Sequence, residues 1–149
     1  MYHIVIDVDE TLGHLIGERF VLRPYAKFFL MNLKKLENCR IIIWSLGDYE
    51  YVHEIFQTQF KPICFDFVFT REDSLRSLKK FGKYKHSWYL KEKFDSSEQD
   101  VFVAVDDRCK RNMDIGYKYR YQILPFKNDQ EDNCLIEVLQ FITEMMYFE

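Results

Sequence analysis

The sequence places two pairs of acidic residues where carboxylates are costly. Asp7 and Asp9 end the apolar, β-branched run that begins at Tyr2, and Asp106 and Asp107 follow directly on the run Val101 to Val105. On an extended chain, side chains at i and i+2 project to one side, about 7 Å apart. If both runs are strands of one parallel sheet, their carboxyl ends share an edge and three or four carboxylates converge there. Such a cluster asks for a hard divalent cation, and Mg2+, held by a few carboxylates and waters, suits it best. A single Asp usually caps a helix or shapes a turn. Two acidic pairs at two strand ends are not explained that way.

The remaining pattern supplies the scaffold such a site needs. Pro24 suits the first turn of a helix carrying Tyr25, Phe28, Phe29, Leu33 and Leu36 at spacings near 3.6. Arg40 to Trp44 reads as a second buried strand, Gly47 and Asp48 as a break and N-cap, and Tyr49 to Phe60 as the helix that follows. Phe65 to Phe69 reads as a third strand. Thr70 to Tyr84 is polar and aperiodic, which predicts irregular structure or a small hairpin, followed by a helix over His86 to Phe94. After the Val101 strand, a short helix spans Arg108 to Gly116, and a fifth strand runs from Tyr121 to Leu124, ended by Pro125. The terminal helix places Leu135, Val138, Leu139, Ile142, Met145 and Met146 on one face. Alternating strands and helices imply an α/β three-layer sandwich: a central parallel sheet of about five strands, the Asp7 strand in the middle, with functional groups at the carboxyl ends. The whole chain reads as one domain.

At Asp7-Val8-Asp9-Glu10-Thr11-Leu12 the sequence resembles the nucleophile motif of the haloacid dehalogenase superfamily of phosphatases. Its form is that of the NLI-interacting-factor-like branch acting on the C-terminal domain of RNA polymerase II. Leu22-Arg23-Pro24-Tyr25 with Phe28-Phe29-Leu30, the strand ending Trp44-Ser45, Phe69 to Glu72, a lysine and Asp106-Asp107 extend the likeness over nearly the whole chain. Ser45 stands where that branch more often has Thr, and no Ser-Pro follows Asp107. Asp106-Asp107-Arg108 with Asn112 is also similar to the magnesium-dependent phosphatases.

The resemblance implies a role for each residue. Asp7 is the expected nucleophile, giving an aspartyl-phosphate, and Asp9 the acid and base that protonates the leaving oxygen and later activates water. Mg2+ would be held by Asp7, the Asp9 backbone carbonyl, Asp106 and Asp107. Thr11 and Ser45 are expected at the phosphate, with Arg71 as a further contact or a partner of Glu72 or Asp73. A lysine must balance the carboxylates. Lys85, at the expected start of the helix before the fourth strand, is placed for that; Lys83 is the reserve, and Lys91 lies about 9 Å further along at 1.5 Å per residue.

Composition narrows the class further. The chain has 149 residues, 48% hydrophobic and 17% aromatic, so a core forms without disulfide staples. A formal net charge of −3 lacks the footprint of a general nucleic-acid binder, and the basic stretch Arg76 to Lys93 reads as a solvated face. Cys39, Cys64, Cys109 and Cys134 have no metal-ligand spacing and read as reduced thiols of an intracellular protein, cytoplasmic or nuclear. No segment is apolar enough to span a membrane. His3, His14, His53 and His86 receive no role, and Trp44 reads as core.

Three functions fit these residues. The intervals after Asp9 and Ser45 are too short for a sizeable cap, which favours an open site admitting phosphoserine or phosphothreonine in a protein. A phosphatase of small molecules or nucleic-acid ends would need a lid, from residues 13–23 or from a homo-oligomer. A binding module with a retired site would not need to keep all four acids.

Overall fold

The computed structural model describes residues 1–148. In chain order the elements are β1 (Tyr2–Ile6), β2 (Gly13–Ile16), β3 (Arg19–Leu22), α1 (Ala26–Lys34), β4 (Cys39–Trp44), α2 (Tyr49–Gln59), β5 (Phe67–Phe69), α3 (Arg71–Phe81), α4 (Ser87–Phe94), β6 (Val101–Asp106), α5 (Cys109–Asn112), β7 (Tyr119–Gln122) and α6 (Cys134–Tyr147). Five strands form a fully parallel sheet in the order β5-β4-β1-β6-β7, so β1 is central and pairs with β4 and β6 on either side.

Period-two alternation divides the core between the two faces of the sheet. Ile4, Ile6, Ile43, Val103 and Val105 face Phe29, Leu30 and Leu33 of α1 and Leu135, Val138 and Ile142 of α6. Val5, Ile42, Trp44, Phe102 and Ala104 face Leu90 of α4 and Cys109 of α5. Because both faces are covered, the strands read as continuous apolar runs.

Four details depart from the sequence reading. Residues 71–81 form a helix, where irregular structure or a hairpin was expected. Its inward residues are Ser74 and Ser77, so it has no apolar period; Asp73 accepts the Thr70 N–H at 3.0 Å, and Gly82, at φ 87°, ends it. The buried face of α1 is Ala26, Phe29, Leu30 and Leu33, whereas Tyr25 and Phe28 face solvent. The helix after β6 is shorter than expected and β7 starts earlier, at Tyr119. Residues 13–22 form a hairpin in which Gly13 is required, since a Cβ there would lie 2.4 Å from the Phe20 ring and 2.5 Å from the Val21 carbonyl. The four cysteines are unpaired. No helix among the described residues is long and apolar enough to cross a membrane.

Arg23 fastens the loop after β1 to the far end of the chain. Its guanidinium is buried, donating to the Glu10 carbonyl at 3.1 Å and the Leu124 carbonyl at 2.7 Å, and it pairs with both oxygens of Asp132 at 3.0 and 2.9 Å. Burial alone would raise the Asp132 carboxyl, but Arg23 and the Cys134 N–H outweigh it and hold the carboxyl below its usual value. Arg23→Met should therefore cost about 3 kcal/mol in urea unfolding, because it strands a half-buried carboxylate and two carbonyls. The stability from Asp132 is present above its unfolded value of about 3.9 and is lost as pH falls through the lower folded value. Asp132→Asn should thus be less stable than the wild type at neutral pH and converge with it in acid.

Candidate active site

Parallel pairing of β1 and β6 puts their carboxyl ends side by side. The Asp7 N–H extends the ladder to the Val105 carbonyl at 3.0 Å, and Asp106 is the last residue of β6. Lys85, in the segment between α3 and α4, reaches between them, its Nζ donating to Asp7 Oδ1 at 2.9 Å and Asp106 Oδ2 at 2.7 Å. Its backbone is held at both ends: the N–H donates to the Asn112 carbonyl at 2.8 Å, and its carbonyl accepts the Tyr117 hydroxyl at 2.8 Å. Lys85 and Asp106 are both 0% exposed. Burial alone would lower the lysine, but the two carboxylates outweigh it and keep the ammonium charged. Burial likewise opposes ionisation of Asp106; Lys85, the Arg108 N–H at 2.7 Å and the Asn112 amide at 3.1 and 3.2 Å reverse that and depress its carboxyl.

Asp7 is in the opposite condition. Burial and the Asp106 charge push its carboxyl well above the ordinary range, and Lys85 offsets this only in part. The Thr11 hydroxyl, expected at a phosphate, donates to Asp7 Oδ2 at 3.0 Å. Asp9 lies across the mouth, its Oδ1 accepting the Tyr51 hydroxyl at 2.5 Å. Burial and the Asp9 hydrogen bond raise the Tyr51 phenol, so it remains a donor. Tyr51 is aimed by the first turn of α2, where its N–H donates to the N-cap Asp48 at 2.9 Å. A Cβ at Gly47 would lie 2.7 Å from the Tyr51 ring, so glycine there makes room for it.

Asp7, Asp9, Asp107, Leu46, Arg108 and Arg111 contribute to an open cleft of about 240 Å³. Ser45 is buried beside it, its Oγ accepting the Gly47 N–H at 2.9 Å. Arg71 is exposed and braces the same loop, its Nε donating to the Leu46 carbonyl at 3.3 Å; Glu72 pairs with Arg76 instead. Lys83 donates to the Lys110 carbonyl at 3.0 Å, away from the acids, and Lys91 packs over the Trp88 ring. Tyr51 and Tyr117 were not singled out from sequence. The available signal was that Tyr51 falls in the first turn after a capped strand end.

The chemistry of the donors suits a divalent cation. Oxygens of Asp7, Asp106 and Asp107 lie within 4.8 Å of one another. Three carboxyl groups face one buried ammonium, with the exposed Arg108 guanidinium 3.9 Å from Asp107 as a second, weaker counter-charge. Asp107 is raised by burial and by the charges of Asp106 and Glu10, as expected of a carboxyl short of a counter-charge. Each Asp106 oxygen accepts two hydrogen bonds, from Lys85, Asn112 and the Arg108 amide, whereas each Asp7 oxygen accepts one, from Lys85 or Thr11, so Asp7 and Asp107 are the side chains with lone pairs to offer.

Two measurements test this electrostatic account. Lys85→Met should cost about 3–5 kcal/mol at neutral pH by stranding two buried carboxylates. The deficit should shrink in acid, as carboxyls with raised folded values take up protons. Mg2+ should raise the melting temperature of the wild type, and Asp107→Asn should remove most of that increment while leaving a folded protein.

Comparison with known proteins gives the fold's relatives and the family. None of the curated protein sequences matches. Among solved structures, a fission yeast RNA polymerase II CTD phosphatase, Fcp1, bound to beryllium fluoride, is similar at a TM-score of 0.55 and 14% identity, over 95% of this chain and 50% of that one. A second structure of Fcp1, described as an essential RNA polymerase II CTD phosphatase, is similar at 0.54 and 15%, over 93% and 48%. The chain thus spans about half the length of these proteins, and at such identity the likeness concerns the fold. The family described as NLI interacting factor-like phosphatase matches residues 2–149, practically the full length. The chain belongs to the NLI interacting factor-like phosphatase family.

Proposed function

We propose that the protein is a Mg2+-dependent phosphomonoester hydrolase that works through an aspartyl-phosphate on Asp7, with phosphoserine or phosphothreonine in proteins as substrate. The observation that carries this is the buried Lys85 bridge, which fixes Asp7 at the mouth of a cleft with Asp9 opposite. Lys85 and Thr11 each hold one Asp7 oxygen, orienting the carboxylate for in-line attack on phosphorus. The bond from phosphorus to the leaving oxygen breaks, and Asp9 delivers its proton to that oxygen. Tyr51 occupies Asp9 Oδ1 and leaves Oδ2 to carry the proton. Asp9, now a carboxylate, then takes a proton from water as the water oxygen attacks phosphorus, which frees Asp7 and inorganic phosphate. When bound by Asp7, the Asp9 carbonyl and Asp107, Mg2+ would supply the positive charge that keeps Asp7 ionised and offsets charge on the transferring phosphoryl group. Backbone N–H groups near Ser45 and the start of α2 are suited to the remaining phosphate oxygens.

Two features favour a protein substrate. The loop after Asp9 holds only the β2–β3 hairpin, and the loop after Ser45 leads straight into α2, so an extended segment can reach the cleft. The similar solved proteins are described as phosphatases of the RNA polymerase II CTD. Four unpaired cysteines fit an intracellular enzyme.

Hydrolysis of an aryl phosphate and of a phosphoserine peptide should require Mg2+. Asp7→Asn should abolish turnover without unfolding the protein, and Asp9→Asn should lower kcat by about 10² to 10⁴-fold. Tyr51→Phe should lower kcat by about tenfold with little change in KM, since its hydrogen bond acts on the acid and not on the substrate. Normal turnover by Asp7→Asn would eliminate the aspartyl-phosphate.

A further inference from the structure

At α5 the cleft carries two arginines in addition to the lysine that holds Asp7. Arg108 and Arg111 line the same cleft as Asp7 and Asp9. Arg108 has a side chain 58% exposed, and its one carboxylate neighbour, Asp107, is 3.9 Å from its Nε. Arg111 makes no ion pair among the described residues. Its Nε donates to Asn112 Oδ1 at 3.0 Å and its guanidinium lies over the Tyr84 ring at 5.5 Å, which fixes its direction while leaving its terminal nitrogens to a ligand. The positive surface then continues over α5. On its other side, Lys83, Lys110 and Arg120 border a groove of about 600 Å³ in which Asp114 is the one acid. The Asp114 carboxylate is already bonded to the Ser87 N–H and hydroxyl, each at 2.7 Å. In a chain of net charge −3, this concentration of cations beside the acids of the cleft is local.

We propose that Arg108 and Arg111 form a second anion subsite that selects substrates carrying another phosphate close to the one removed, with the groove beyond α5 receiving the following acidic residues. The inference rests on the phosphatase reading and specifies its substrate class: a multiply phosphorylated protein segment. A phosphoserine carries about −1.5 to −2 charge and three acceptor oxygens, which a planar guanidinium binds in bidentate fashion. The transferred phosphoryl group does not account for Lys83, Lys110 and Arg120, which border a separate groove on the other side of α5. Side chains two residues apart on an extended peptide are about 7 Å apart on one side, so a second phosphate at a short interval can reach the arginines while the first meets Asp7.

The test compares kcat/KM for a singly phosphorylated peptide and for peptides with a second phosphate one, two or three residues away, with an aryl phosphate run alongside. In the wild type at least one doubly phosphorylated peptide should be preferred by about tenfold or more. In the Arg108→Ala/Arg111→Ala double variant the ratio should fall close to one, and using the ratio cancels any general loss of activity. Lys61→Ala, at the opposite end of α2, should leave the ratio as it is. No preference in the wild type, or a preference that survives in the double variant, would overturn the proposal. So would an equal loss on every substrate, which would assign the arginines to the scissile phosphate. Binding to Asp7→Asn, followed by fluorescence anisotropy, separates the two readings: absent hydrolysis of all substrates would defeat the phosphatase, whereas this arm still reports the subsite. There the doubly phosphorylated peptide should outcompete the singly phosphorylated one. Stronger binding of a single-stranded oligonucleotide of matched charge would reject the peptide in favour of nucleic acid.

Discussion

The site depends on one buried ammonium. Removing a lysine from water costs several kcal/mol, recovered only when counter-charges are close and every polar atom around it is paired. Lys85 meets that condition by sitting between Asp7 and Asp106. The requirement extends outward: Asp106 needs Asn112 and the Arg108 amide, the Lys85 backbone needs Tyr117 and the Asn112 carbonyl, and Asp7 needs Thr11. Adjacent parallel strands bring the two acids together, and the segment between α3 and α4, tied by the Lys85 backbone to Asn112 and Tyr117, delivers the lysine. The polar helix α3 and the four-residue α5 are thereby tied to the site although neither buries much apolar surface.

Four chemically identical carboxyls acquire different properties from their surroundings. Asp106 is held ionised by fixed donors and is occupied by them. Asp7 is destabilised as an anion by burial and by its neighbour, which makes it responsive to any positive charge that arrives. Asp107, half-buried, has only the exposed Arg108 guanidinium, 3.9 Å away, as counter-charge. Asp9 stands apart with a single strong donor in Tyr51. Division of labour among them is set by position in the fold and by which donors are already committed, not by residue type.

Much of this was legible in the chain. Strands buried on both faces leave continuous runs such as Ile41 to Trp44 and Val101 to Val105, and acids directly after such runs mark the chemical edge of the sheet. Asp48 announces α2, and α6 shows its apolar stripe. What could not be read has physical causes. The inward face of α3 is made of serines, because it packs through hydrogen bonds such as Trp44 Nε1 to Ser74 Oγ at 3.0 Å, so periodicity was silent. The β2–β3 hairpin is half exposed and four residues to a strand, too short for alternation to register. Arg23 belongs to a residue type usually on the surface, and only the three-dimensional meeting of residues 10, 124 and 132 shows why it is inside. Tyr51 likewise looks like one more aromatic until its hydroxyl is seen against Asp9.

The central position of β1 has a consequence for how the protein is made. The strand that carries Asp7 is synthesised before both of its neighbours, which follow some 40 and 100 residues later, and the arginine clasp on its loop closes only with Asp132. A growing chain can pair Ile4 with Ile41 early, while the opposite edge of β1 stays without a partner until Val103 is synthesised. Late, long-range pairing of this kind slows folding and prolongs exposure of an apolar strand edge. The assembled site is therefore a late product of synthesis: Lys85 cannot be neutralised from both sides until Asp106 exists, and the loop is not clasped until Asp132 does.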